Sequence, residues 1–119
     1  MKILIESIPG ADQRYPTPGD YFIEDGTLHI KVSCLGNWRA ELLVAIHELV
    51  EIALVESAGV TYEQIDEFDM GHPELTDPGA DPRAPYHHQH NVATAVEMVV
   101  CSAMGLSWTD YCAIVDSVE

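Results

Sequence analysis

Residues Trp38–Ala58 read WRAELLVAIHELVEIALVESA. The segment reads as one helix, and a step of ~100° per residue fixes which side chains share a face. Leu43, Val44, His47, Val50, Glu51, Leu54 and Ala58 fall on one side, while Glu41, Ala45, Glu48 and Glu56 turn toward the other. An imidazole and a carboxylate four residues apart therefore sit within the apolar stripe, one above the other. Burying a bare carboxylate is costly unless it is paired or bound to a metal. A divalent cation held by His47 and Glu51 removes that cost. Glu48 is expected on the wetter edge of the helix, placed to take a proton from water on that cation.

Upstream, Lys2–Ile8 is short, β-branched and stopped by Pro9-Gly10, which predicts a strand. Ala11–Gly19 carries Pro16 and Pro18 and is read as a loop. Asp25-Gly26 separates Tyr21–Glu24 from Thr27–Ser33, a strong hairpin signal. Leu28, Ile30 and Val32 alternate with His29 and Lys31, so one face of that arm is buried and His29 is expected at the surface. The Thr27–Ser33 arm is also the candidate edge strand for an extended peptide. Asn37 is a plausible N-cap for the central helix and Gly59 its terminator.

Downstream, Thr61 caps a short helix over Tyr62–Asp69. Residues 70–86 form a long loop rich in Pro, Gly and Asp, of the kind that is often functional. His87–Met104 is the second long helix. His90, Thr94, Glu97 and Cys101 gather on one of its sides. Ser107-Trp108-Thr109-Asp110 resembles a capping box and opens a last helix within residues 107–117. The expected fold class is α+β, a single domain over residues 1–119. A small antiparallel, hairpin-based sheet from residues 1–35 packs against two long helices, 38–58 and 87–104.

The totals narrow the function. At 119 residues the chain holds one core. A formal net charge of −15, from 20 acids and 5 bases, argues against binding nucleic-acid phosphates or anionic membranes. It suits a cationic partner, a cation site or simple solubility, and leaves DNA mimicry as a minor reading. Cys34, Cys101 and Cys112 are scattered and odd in number, offering neither a CxxC pair nor a disulfide framework. No run is apolar and long enough to span a bilayer, and the N-terminus lacks the pattern of a signal peptide. A cytoplasmic location is the expectation.

Two ligands hold zinc weakly, and catalytic zinc usually has three with an open position. The second long helix supplies the third. His90 is the first choice, because it lies a full turn inside that helix. His87 is the alternative, and His88 points away from both. Glu97, two turns beyond His90, is either a carboxylate that orients a ligand histidine or a fourth ligand that closes the site. Two histidines and one carboxylate are a set used by hydrolytic zinc. The helix string is that of the zinc-protease H-E-x-x-H motif, with Glu51 in the second His position. Zn2+ is the expected cofactor, with Fe2+ or no metal as alternatives. A two-metal site ranks low, because paired Glu-x-x-His motifs are missing.

The chain resembles small phage- and prophage-type proteins with a minimal zincin-like HExxE helix. The residues that carry the resemblance are Gln13-Arg14-Tyr15-Pro16, Asp25-Gly26-Thr27-Leu28-His29-Ile30, Trp38-Arg39 with His47–Glu51, Asp81-Pro82-Arg83-Ala84-Pro85-Tyr86-His87, and His90-x-x-Ala-Thr-x-x-Glu97. It implies a short sheet followed by a metal-binding helix, in the host cytosol. It departs from zincins at Glu51 and in having no obvious substrate domain. The expected function is a zinc-dependent hydrolase of peptide or amide bonds, with Glu48 as base. The alternative is a non-enzymatic accessory protein that binds a host protein, with a structural metal or none.

Overall fold

The structure is a computed structural model and describes residues 1–117. The elements run β1 (Lys2–Ile8), β2 (Gly19–Glu24), β3 (Thr27–Ser33), α1 (Trp38–Ala58), α2 (Tyr62–Gly71), α3 (His87–Ala103) and α4 (Trp108–Asp116). Single 3-10 turns lie at Gly10–Asp12 and Pro78–Ala80. The class is α+β in one compact domain, with a three-stranded sheet and four helices among the described residues.

Asp25 and Gly26 both take left-handed backbone, φ 52° and 72°. That pair of angles is what a two-residue hairpin turn of primed type needs. It sets the antiparallel register from Glu24↔Thr27 to Gly19↔Val32. Contrary to the antiparallel sheet that the hairpin pattern predicts, the sheet is mixed. β1 runs parallel to β3, from Lys2↔Thr27 to Ile8↔Ser33, and the order is β1-β3-β2. The segment after β1 carries the chain to the far edge, and β3 then fills the slot between. Gln13 pins that segment by donating to Lys31 O and Ser33 Oγ, at 3.0 and 3.2 Å.

Pattern explains the central place of β3. Leu28, Ile30 and Val32 are 7, 0 and 1 % exposed, the most completely buried row in the sheet. A strand buried in this way gains most from having both ladders filled. Thr27–Ser33 therefore has no free edge and cannot take a peptide by strand addition. The open edges belong to β1 and β2. His29 is half-buried rather than at the surface, stacked on Phe22 with ring centroids 5.1 Å apart.

α1 keeps both expected caps. The Asn37 side chain accepts from the N–H groups of Arg39 and Ala40, and Gly59 closes the helix at φ 73°. The helix lies between the sheet on one side and α3 on the other. Ala45 and Ile52, 6 and 3 % exposed, are therefore buried along with Leu43 and Val55. A single apolar stripe underestimates a helix covered on two sides. Thr61 and Gln64 form a capping box on α2, and the Ser107 hydroxyl accepts from Asp110 N–H to start α4. Among the described residues, no helix is long and apolar enough to cross a membrane.

Candidate metal centre

The packing of α3 on α1 brings the expected residues together. His47, Glu51, His90 and Glu97 are 8, 4, 9 and 8 % exposed, so four ionisable side chains share one buried seam. His47 Nε2 lies 3.0 Å from Glu51 Oε2 and 3.2 Å from His90 Nδ1. His90 Nδ1 lies 2.9 Å from the same Oε2. Three donor atoms on three side chains thus form a triangle of nearly equal edges. A tetrahedral zinc with bonds of ~2.0–2.1 Å has donors ~3.3 Å apart. A small expansion admits the ion, and the donor set suits it.

The surrounding groups fix these donors. His47 Nδ1–H donates to Glu97 Oε1 at 2.8 Å, leaving Nε2 for the cluster. Glu97 Oε2 accepts from the Tyr111 hydroxyl. The Tyr21 hydroxyl donates to Glu51 Oε1 at 2.8 Å, so Oε2 alone faces the histidines. His90 Nε2 reaches Asp77 Oδ1 at 3.3 Å. Gly79 lies flat on the His90 ring, where a Cβ would stand 2.4 Å from Nδ1. The turn Pro78–Ala80 thereby closes the long loop over the cluster.

Two arrangements balance this cluster. In the first, both imidazoles are protonated. Burial disfavours the charge on His47, but hydrogen bonds to Glu51 and Glu97 outweigh it and raise the pKa to about 11. Burial opposes the His90 charge too, yet Asp77 and Glu51 raise that pKa to about 9. Burial tends to raise Glu51, and the two imidazoles overcome it, lowering the carboxyl to about 2. In this form two N–H groups crowd one carboxylate oxygen. In the second form one divalent cation replaces the two central protons at equal charge. Each histidine then keeps one N–H for its outer carboxylate, the arrangement seen around bound metals.

Glu48 is half-buried rather than on a wet edge. It packs beneath the start of β2, where a Cβ on Gly19 would sit 2.8 Å from its Oε1. Burial and then the charge of Glu51 push its carboxyl up to about 8. No side-chain hydrogen bond reaches it among the described residues, whereas Glu51 and Glu97 are both fully engaged.

Of the sequence candidates, His47, Glu51 and His90 converge, and their ligand atoms lie within 4.8 Å of one another. His87 does not join them; its Nδ1 faces Gly79 O at 3.0 Å. Glu97 sits behind His47 rather than among the ligand atoms. Tyr21, Gly79 and Tyr111 escaped the sequence reading as parts of the site, because their places there depend on how β2, the loop and α4 return to the seam. Comparisons with family models, with curated proteins and with solved structures gave no match.

Proposed function

We propose that this protein is a metal-dependent hydrolase of peptide or amide bonds, with zinc as the metal. His47, Glu51 and His90 hold the ion, and Glu48 is the base. The observation that carries the reading is the convergence of three donors whose outer atoms are already committed, beside a carboxyl that has no partner. When bound, zinc supplies Lewis acidity and brings a water toward neutral pKa. Glu97 and Tyr111 keep His47 in the tautomer that leaves Nε2 free. Tyr21 holds Glu51 so that one oxygen faces inward. Glu48, half-buried and without a side-chain hydrogen bond among the described residues, takes a proton from the attacking water and returns it to the leaving amine. Fe2+ fits a two-histidine, one-carboxylate set as well. The resemblance to phage-type, zincin-like proteins and a host-cytosol location belong to the same proposal.

The test compares Glu48→Gln with the wild type, both zinc-loaded, on a mixed peptide and amide library. Glu48→Gln is expected to keep stoichiometric zinc and lose turnover. Unchanged turnover in Glu48→Gln contradicts the assignment of the base. A second reading is supported by the closed turn over His90 and by the net charge of −15. In it the metal is structural and the acidic surface docks on a host protein. Zinc binding without any turnover on the library selects that reading.

A further inference from the structure

The β1 edge carries features that the metal centre does not use. Among the described residues, β1 pairs with β3 alone. Lys2 N–H donates to Gly26 O, and Ile8 O accepts from Cys34 N–H. Along a parallel ladder alternate residues turn both backbone groups to the same side. Ile3, Ile5 and Ser7 therefore point theirs away from β3. An open edge of this kind is a template for another strand. Its side chains are unusual too. Ile3 and Ile5 are 56 and 48 % exposed, although their neighbours on β3, Leu28 and Ile30, are buried. On that face a shallow groove of about 220 Å³ runs between Ile5 and the Trp38, Leu42 and Ala45 side of α1.

We propose that this edge is the interface of a homodimer, in which β1 strands of two copies pair antiparallel about a two-fold axis through Leu4. Two arguments select a second copy as the occupant. The first is register. The outward residues are odd-numbered, so odd positions pair with odd and the axis must pass through a residue of β1 rather than between two. Only the axis at Leu4 sets Lys2 opposite Glu6 of the partner subunit at both ends. The same register sets Ile3 opposite Ile5 of the partner subunit twice, where each pair exchanges N–H and C=O. The segment Lys2-Ile3-Leu4-Ile5-Glu6 is thus complementary to its own reverse in charge and in shape. An isologous interface requires that property.

The second argument is the distribution of charge. The chain has five bases against 20 acids. Lys2 lies on this edge, Lys31 beside it bridges to Glu6, and Arg39 stacks 4.8 Å from the Trp38 ring. Three of the five bases thus stand beside Glu6 and Glu41 here, so two strongly acidic copies meet with less repulsion than their net charge implies. The product is a continuous six-stranded sheet with both α1 helices on one face, covering Ile3, Ile5, Trp38 and Leu42. The interface lies on the opposite edge from β2, so it is independent of the metal reading.

The test is sedimentation equilibrium of the full chain over a range of concentration and salt. The wild type is expected at twice the 13.1 kDa chain mass, with tighter association as salt screens the acidic surfaces. Ile5→Lys is expected to give monomer. Lys2→Glu and Glu6→Lys each weaken the dimer about tenfold or more alone, by setting like charges opposite one another. Mixed in equal amounts they form a heterodimer, since unlike charges then meet at both ends. Circular dichroism checks that each variant is folded. A wild type that stays monomeric at its highest soluble concentration overturns the proposal. So does a dimer indifferent to Ile5→Lys, or a Lys2→Glu and Glu6→Lys mixture that stays monomeric.

Discussion

His47 has both ring nitrogens committed, Nδ1 to Glu97 and Nε2 to the space shared with Glu51 and His90. Replacing Glu97 by Gln loosens that orientation without touching a ligand atom. Outer carboxylates on ligand histidines are typically worth ~10–100-fold in metal affinity. Glu97→Gln is therefore expected to weaken zinc by about that factor, measured by competition with a chromophoric chelator. Gly79→Ala tests the turn above the cluster. Its Cβ would stand 2.4 Å from His90 Nδ1 and 2.8 Å from the Tyr86 ring, so the loop or the ligand must move. The expected outcome is weaker zinc binding with α-helical content retained in circular dichroism. At this scale the sequence carried the ligand candidates well, because helical spacing places His47 with Glu51 and His90 with Glu97 whatever the tertiary fold. It carried nothing of Tyr21 and Tyr111. A hydroxyl that reaches a carboxylate 30 or 14 residues away leaves no local pattern.

Among the elements, α1 bears the most, because both layers rest on it. Leu43 is fully buried, and its truncation to Ala is expected to cost ~2–5 kcal/mol in urea unfolding. Leu49, 40 % exposed on the same helix, is expected to cost under ~0.5 kcal/mol when truncated. Equal costs at the two positions would contradict the burial of α1 between sheet and helix. Boundaries were legible here because caps are local. Asn37, Gly59, Thr61 and Ser107 each act within a few residues of the chain they start or stop. The hairpin was legible for the same reason. Strand order was not. Whether β1 pairs parallel or antiparallel with β3 depends on where residues 9–18 carry the chain, and no residue of β1 encodes that route. The two-sided burial of α1 escaped as well, since a helical-wheel stripe assumes one covered face.

For the molecule as a whole, the cluster ties stability to pH in opposite directions with and without metal. His47 and His90 have folded pKa values raised above 6.5, to about 11 and about 9. Their contribution to the metal-free fold is complete below their ordinary pKa and is lost as pH rises through the folded values. Glu48, raised from 4.5 to about 8, acts in the same sense, because its ionisation in the fold is costly. Glu51, lowered to about 2, acts the other way but only in acid. The melting temperature of metal-free protein is thus expected to fall between pH 6.5 and 9, followed by circular dichroism. Zinc competes with those protons, so its affinity and its stabilising effect grow over the same range. The most direct measurement is calorimetric titration of metal-free, untagged protein with zinc at pH 7, in buffers of different ionisation enthalpy. The expected result is one zinc per chain, close to two protons released, and binding lost in His47→Ala. Absence of binding in the wild type, or equal binding by His47→Ala, would contradict the assignment of a metal centre between α1 and α3.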